Sequence, residues 1–341
     1  MSTAQQGAQY GIATQSQRGV TNGADMMGFL FGSGNPAQNF LMNGACELWQ
    51  RGTSFSNGAG GSGYTADRWY CGSSGSTSTF ARSTDVPSGF YGYSIDGSDG
   101  ANTYSYFSQR IEAANCKHLV GKTITASFWI KTANPETIYA HLGYANSEDN
   151  FGTITQIALT LVSSQITANQ WSKVTVSYTV PTQAANGMSF TVYFNYASGA
   201  SRSAKVTGFT LNVGSIAQPF SRAGGTIGGE LALCQRYYEV ISLAGVAYRM
   251  VGLCAVTDAT NARLLHTFAV DKRTSPYTLM QSGSFEFLGG TGTYSTMTLS
   301  SSSSTRQAFI AVNGSGMTSG QSLTLRNSNS TTAYVAVDAE L

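Results

Sequence analysis

Met188-Ser189-Phe190-Thr191-Val192-Tyr193-Phe194-Asn195-Tyr196 sets large apolar side chains at alternate positions. Met188, Phe190, Val192, Phe194 and Tyr196 fall on one side, and Ser189, Thr191 and Asn195 are among those on the other. A period of two is that of an extended strand with one buried face. The same period recurs in Thr123–Ile130 (Ile124, Ala126, Phe128, Ile130) and in Trp171–Val180 (Val174, Val176, Tyr178, Val180). Strands with one apolar and one polar face belong to antiparallel sheets packed on one side. Residues 39 to about 213 therefore predict a two-sheet sandwich of jelly-roll type.

Beyond this segment the period changes. In Glu230–Val240, after Gly228-Gly229, Leu231, Cys234, Gln235 and Tyr238 share one helical face. Short strands then return at Ser284–Leu288, Tyr294–Leu299, Gln307–Val312 and Tyr334–Val337, while the stretch around Leu264, Leu265 and Phe268 lacks clean alternation. The expectation is an all-β chain: an extended N-terminal arm (1–38), a jelly-roll β-sandwich (39–228), a short connecting helix (229–240) and a second, smaller β domain (241–341). Ser56–Gly63 and Cys71–Thr79 read as Ser-Gly loops. The arm is polar apart from Met26, Met27, Phe29, Leu30 and Phe31. An exposed cluster of that kind is a liability on a free tail, which makes it a candidate attachment peptide.

Charged residues make up 11% of the chain, against about 25% in an average soluble protein. With a formal charge of +2 there is no field to draw in nucleic acid. Tyr 18, Phe 17 and Trp 4 argue against disorder. No apolar run approaches the length needed for membrane insertion, and no secretory signal opens the chain, so synthesis in a cytoplasm is expected. The five cysteines form no Cys-x-x-Cys pair or zinc grouping. Buried free thiols are the preferred reading, with a Cys46–Cys71 or intersubunit bridge left open.

Signals of catalysis are absent from the sequence pattern. His118, His141 and His266 are isolated, and neither a Gly-x-Ser-x-Gly elbow nor a phosphate loop occurs. A glycan hydrolase needs two carboxylates across the scissile bond; Glu112, Glu136, Glu148 and Asp149 are the candidates in principle. Asp96-Gly97-Ser98-Asp99-Gly100 reads as an Asx turn in preference to a Ca²⁺ loop. No cofactor or metal is implied.

Several segments occur in an order that resembles a family of phage virion proteins. These are Asn39–Gly44, Trp49–Phe55, Tyr64–Trp69, Ser108–Glu112, Leu119–Thr125, the Trp171 strand, Gln218–Arg222 and Glu230–Tyr238. The family comprises tail-fibre and related particle-surface proteins whose jelly roll is similar to carbohydrate-binding modules. Residues 272–276 and 338–341 are similar to a second β module of some members, in which Met more often stands at the place of Lys272. The resemblance implies a homotrimer on the virion surface, bound to other virion proteins through its arm and presenting β domains to host-surface carbohydrate. A tail fibre or receptor-binding protein leads; a capsid decoration or head-fibre protein is the alternative, and a glycan hydrolase the third.

Sugars stack on exposed aromatic rings, and the richest aromatic stretch is Phe90, Tyr91, Tyr93, Tyr104, Tyr106 and Phe107. Tyr91, Tyr93, Tyr104 and Tyr106 are the candidate glycan-binding residues. Trp49, Trp69 and Phe55 are expected in the core. An Arg51–Asp67 ion pair is expected to pin the first strands, Arg222 and Glu230 to tie sandwich to helix, and Tyr237-Tyr238 to pack at the domain junction.

Overall fold

The computed structural model describes residues 38–99, 104–133, 137–195, 202–289 and 293–341. Tyr196, Glu136 and the arm up to residue 37, with Met26, Met27, Phe29, Leu30 and Phe31, lie outside the described residues. The chain is all-β. One six-stranded sheet has the order β1 (Ser54–Asn57), β4 (Ser78–Ser83), β5 (Ser94–Asp99), β12 (Arg202–Val213), β7 (Thr123–Thr132), β10 (Ser172–Thr179). The facing sheet has the order β2 (Ser62–Tyr64), β3 (Tyr70–Ser74), β6 (Tyr104–Ile111), β11 (Met188–Asn195), β8 (Ile138–Ser147), β9 (Asn150–Leu161). Every neighbour pair is antiparallel, and crossovers place strands distant in sequence side by side, as in a jelly roll.

Period-two residues from both sheets meet in one core. Met188, Phe190, Val192 and Phe194 are buried against Ile124, Ala126, Phe128 and Ile130 of the opposite sheet. Phe128 meets Phe190 edge-on at 6.0 Å, and Phe80 meets Phe107 edge-on at 5.6 Å, so aromatic contacts bridge the layers. Trp69 is wholly buried, 4.0 Å from Phe209 and donating its indole N–H to the Asn43 carbonyl at 3.0 Å. The segments that carry the family resemblance serve this framework. Asn39 accepts from Leu41 and Leu211 and donates to Phe209 and Ser221, which satisfies a buried amide completely.

Two stretches read as loops are loops only at their centres, 58–61 and 75–77, and strands at their ends. Ser56–Gly63 and Cys71–Thr79 contribute to β1, β2, β3 and β4, because small Ser and Gly side chains hide the alternation. Asp96–Asp99, read as a turn, lies within β5 and is paired on both sides. Gly97 is required there by packing: a Cβ would stand 2.7 Å from the Phe107 ring.

The helix, α1 (Ile227–Gln235), begins earlier than the apolar pattern suggests, because the Thr226 hydroxyl caps it by accepting from the Gly229 N–H at 3.1 Å. Tyr238–Val240, read as helix, is strand: β13 (Tyr238–Ser242) pairs with β21 (Tyr334–Asp338), which also pairs with β16 (Thr278–Ser282). A third six-stranded sheet has the order β17 (Phe285–Leu288), β20 (Ser322–Asn327), β14 (Met250–Val256), β15 (Asn261–Thr267), β19 (Gln307–Ser315), β18 (Thr293–Leu299). These two sheets enclose their own core, which includes Leu264, Ile310, Val312, Leu323, Leu325 and Val335. Leu264 is buried and Leu265 exposed, so β15 alternates; the strand was illegible because two leucines stand side by side.

The scarce charges gather between the two cores. Arg51 reaches Asp338 at 3.1 Å and Glu340 at 3.2 Å, and Arg68, almost fully buried, also pairs with Glu340. The expected Arg51–Asp67 pair is not formed: Asp67 accepts from the backbone and side chain of Gln50, at 2.9 and 2.7 Å. Arg222 likewise binds Glu47, at 2.7 Å, and not the helix; Glu230 itself reaches the sandwich by accepting from the Asn43 and Gly224 N–H groups. Tyr237 and Tyr238 are buried at this junction, under the guanidinium groups of Arg68 (3.4 Å) and Arg51 (3.6 Å). Lys272 is buried and held by Glu239 at 2.6 Å and by the Gln235 carbonyl.

All five cysteines are buried and free, so no Cys46–Cys71 bridge exists within the chain. Among the described residues no helix is long and apolar enough to cross a membrane, and no cluster of three His, Cys, Asp or Glu is placed to hold a metal ion.

Candidate functional site

The outward face of the β2–β3–β6–β11–β8–β9 sheet is not uniformly solvent-facing. On β11 the polar residues Ser189 and Thr191 are buried although they point away from the core. Thr191 lines a cleft of about 400 Å³ together with Tyr70, Tyr104, Tyr106, Ser108, Arg110, His141, Ile154, Gln156 and Tyr193.

Strand register builds this cleft as two adjacent rows running across the strands. Tyr193 lies opposite Tyr106 on one side and Tyr139 on the other, and Tyr139 lies opposite Leu161. One step along the strands, Tyr70, Ser108, Thr191 and His141 are aligned in the same way. The first row is aromatic and the second polar. Tyr104 stacks beside Tyr193 at 5.3 Å with the planes 29° apart, and Tyr70 stacks beside Tyr106 at 6.3 Å. Gly72 makes room for this arrangement, since a Cβ there would stand 2.6 Å from the Tyr106 hydroxyl.

Within the polar row the Ser108 and Thr191 hydroxyls bond each other at 2.8 Å. His141 is only 7% exposed, and its Nδ1 has no hydrogen-bond partner. Burial lowers its pKa from 6.5 to about 4, so the ring is neutral at pH 7. Burial also raises the Tyr106 and Tyr193 phenols, which keeps them protonated as donors. Arg110 is the one charged side chain among the lining residues, and it lies over the Tyr70 ring at 4.3 Å. The arrangement offers flat rings, hydroxyls and amides at close spacing and no carboxylate, which suits an uncharged, hydroxyl-rich ligand.

Of the four candidate tyrosines, Tyr104 and Tyr106 line this cleft, and Tyr91 and Tyr93 do not. Tyr91 is 85% exposed and outside the cleft. Tyr93 packs under the Arg82 guanidinium at 4.5 Å, and its carbonyl accepts from the Thr207 hydroxyl at 2.6 Å. Adjacency in sequence misled here, because Tyr91 and Tyr93 precede β5, which belongs to the opposite sheet. Tyr70, Tyr139, Tyr193, Arg110, His141 and Gln156 were missed. Tyr193 carried a signal: it is the one large aromatic at a polar-face position of the strand that decides the fold.

Of the carboxylates considered for hydrolysis, the three among the described residues have other partners. Glu112 binds Arg236 at 3.1 Å, Glu148 binds Lys117 at 2.7 Å, and Asp149 accepts from the Ala113 N–H at 2.7 Å.

No family model and no curated protein matches the chain. Among solved structures, it is similar to the enzymatically active domain of tailspike protein 4 of bacteriophage CBA120 (16% identity, TM-score 0.34), over 52% of this chain and 22% of that one. It is also similar to the CBM22-2 xylan-binding domain of Paenibacillus barcinonensis Xyn10C (14% identity, TM-score 0.32), over 43% of this chain and 92% of that one. A further xylan-binding domain of the CBM22 class matches at 11% identity and TM-score 0.32, over 53% of this chain and 99% of that one.

Proposed function

We propose that this chain is a non-enzymatic protein of a phage particle surface, a tail fibre or receptor-binding protein, that holds host-surface glycan in the cleft on the β6–β11–β8 face. One observation carries the binding role: the aromatic row Tyr106–Tyr193–Tyr139 beside the polar row Ser108–Thr191–His141. Sugar rings have apolar faces and hydroxyl edges, and two adjacent rows of this kind satisfy both at once. The lining residues include no Asp or Glu, which favours holding a glycan over cleaving it.

The virion setting is supported by the ordered segments of residues 39–240 and by a charge-poor, hydroxyl-rich surface. In this reading the arm attaches the protein to other virion proteins. A homotrimer would present three clefts to one surface, and modest single-site affinity would then suffice through effective concentration.

The test is to pass purified protein over immobilised host-surface polysaccharides and assay the same mixtures for new reducing ends. Retention without release is expected. Failure to retain the protein on any host polysaccharide contradicts the binding role, and release of reducing ends contradicts the non-enzymatic one. Labelled antibody on intact particles should mark the tail; label confined to the capsid contradicts the tail assignment.

A further inference from the structure

The cleft does not belong to the sandwich alone. At one end Arg110 lies over Tyr70 and donates from Nη1 to the Leu341 backbone oxygen. The Tyr64 hydroxyl donates to the same oxygen at 2.9 Å, and the Tyr64 ring meets Tyr70 edge-on at 5.1 Å. Strand β6 is gripped from its backbone as well: Arg68 donates to the Arg110 carbonyl at 2.6 Å while pairing with Glu340. The same short segment is fixed to its own module, because Arg273 donates to the Ala339 carbonyl at 2.8 Å and to the Glu340 carbonyl at 3.0 Å. The Leu341 oxygen, the Tyr70 ring and, at 5.7 Å, the Phe151 ring are the contacts that orient the Arg110 guanidinium.

We infer that Glu340 and Leu341 are positioning residues for the glycan cleft: they hold Arg110 over Tyr70 and make ligand affinity depend on how the second module docks. The inference rests on the glycan reading of the cleft. Its physical basis is pre-organisation. A guanidinium fork already held in place loses little freedom when it donates to sugar oxygens, whereas a free arginine side chain has to be ordered by the ligand. By linkage, glycan bound at Arg110 tightens the docking of the two modules by the same factor.

The experiment compares wild type, a variant lacking Glu340 and Leu341, Arg110→Gln, and the combination, using calorimetry with the polysaccharide fragment that wild type retains. Loss of one charge-assisted hydrogen bond predicts about tenfold weaker binding in each single variant. The combination should be no weaker than Arg110→Gln alone; losses that multiply overturn the inference. If the shortened chain fails to fold, Tyr64→Phe removes one donor from the Leu341 oxygen and should give a smaller loss that also disappears in the Arg110→Gln background. A ligand-free readout separates this inference from the glycan reading. The Arg110 Nε–Hε NMR signal should be sharp in wild type and broadened or shifted in the shortened chain or in Tyr64→Phe, with β11 amides unchanged. An unmoved Arg110 signal overturns the inference whether or not any glycan binds. Tyr104→Ala should leave that signal in place while binding weakens about tenfold.

Discussion

Arg51 and Asp338 are 287 positions apart in sequence and 3.1 Å apart in the fold. Around that contact stand Glu340, Arg68 and the rings of Tyr237 and Tyr238, so the junction between the two cores is a buried, charge-dense seam in a charge-poor chain. Removing one member of a buried ion pair leaves the other desolvated and unpaired, which costs more than the pair contributes.

Glu340→Gln should therefore destabilise the protein by about 3 kcal/mol. Denaturant unfolding followed by tryptophan fluorescence, which reports the sandwich because Trp49, Trp69, Trp129 and Trp171 all lie there, and by far-UV circular dichroism should show the lowered midpoint. An unchanged midpoint would mean that the seam contributes nothing to stability.

Lys272→Met tests the same principle in the second module. The methionine fills the space but strands the Glu239 carboxylate, which Lys272 holds at 2.6 Å and His266 approaches at 3.4 Å. The single variant should lose about 3 kcal/mol, and Lys272→Met with Glu239→Gln should recover a large part of it. Equal midpoints for the single and the double variant would contradict the pairing.

His141 makes stability depend on pH. Its folded pKa, about 4, lies below the unfolded 6.5 because burial disfavours the charged ring. The unfolded chain then binds more protons between these values, so stability is full above pH 6.5 and falls as pH drops toward 4. Asp67 works in the opposite sense, because burial raises its pKa to about 6. The His141 contribution is therefore read from the difference between wild type and His141→Gln, which should shrink by up to about 3 kcal/mol on going from pH 7 to pH 4. A difference independent of pH would contradict a buried neutral ring.

The cysteines should be inert while the protein is folded. All five are buried and free, and burial raises the Cys71 and Cys116 thiols to about 12 and Cys254 to about 11. A thiol reagent at pH 8 should label none in native protein and all five after denaturation. Rapid native labelling, or fewer than five labelled after unfolding without reductant, would contradict this.

How much of this was legible in the sequence depended on side-chain size. Large alternating residues, as in Met188–Phe194, announced the sandwich, and the face of Leu231, Cys234 and Gln235 after Gly228-Gly229 placed a helix within a few residues of its true start. Strands built from Ser and Gly, such as β2 and β3, were silent because nothing large alternates in them. Ion pairs were misassigned for a related reason: Arg51 and Asp67 are close in sequence, but the partners that matter, Asp338 and Glu340, lie at the other end of the chain. The cleft was half legible. Tyr104 and Tyr106 followed from aromatic density and Tyr193 stood out on a polar strand face, whereas Tyr139 and His141 join them only through strand register, which no local pattern encodes.

In the proposed function a sugar ring lies on the Tyr104–Tyr193 stack. Isothermal titration of host-surface oligosaccharide into wild type, Tyr104→Ala, Tyr193→Ala and Tyr91→Ala tests it directly. Stacking losses of about 1–1.5 kcal/mol per ring predict roughly tenfold weaker binding for Tyr104→Ala and for Tyr193→Ala, with Tyr91→Ala unchanged. Undiminished binding in both cleft variants, or a loss confined to Tyr91→Ala, would contradict the account.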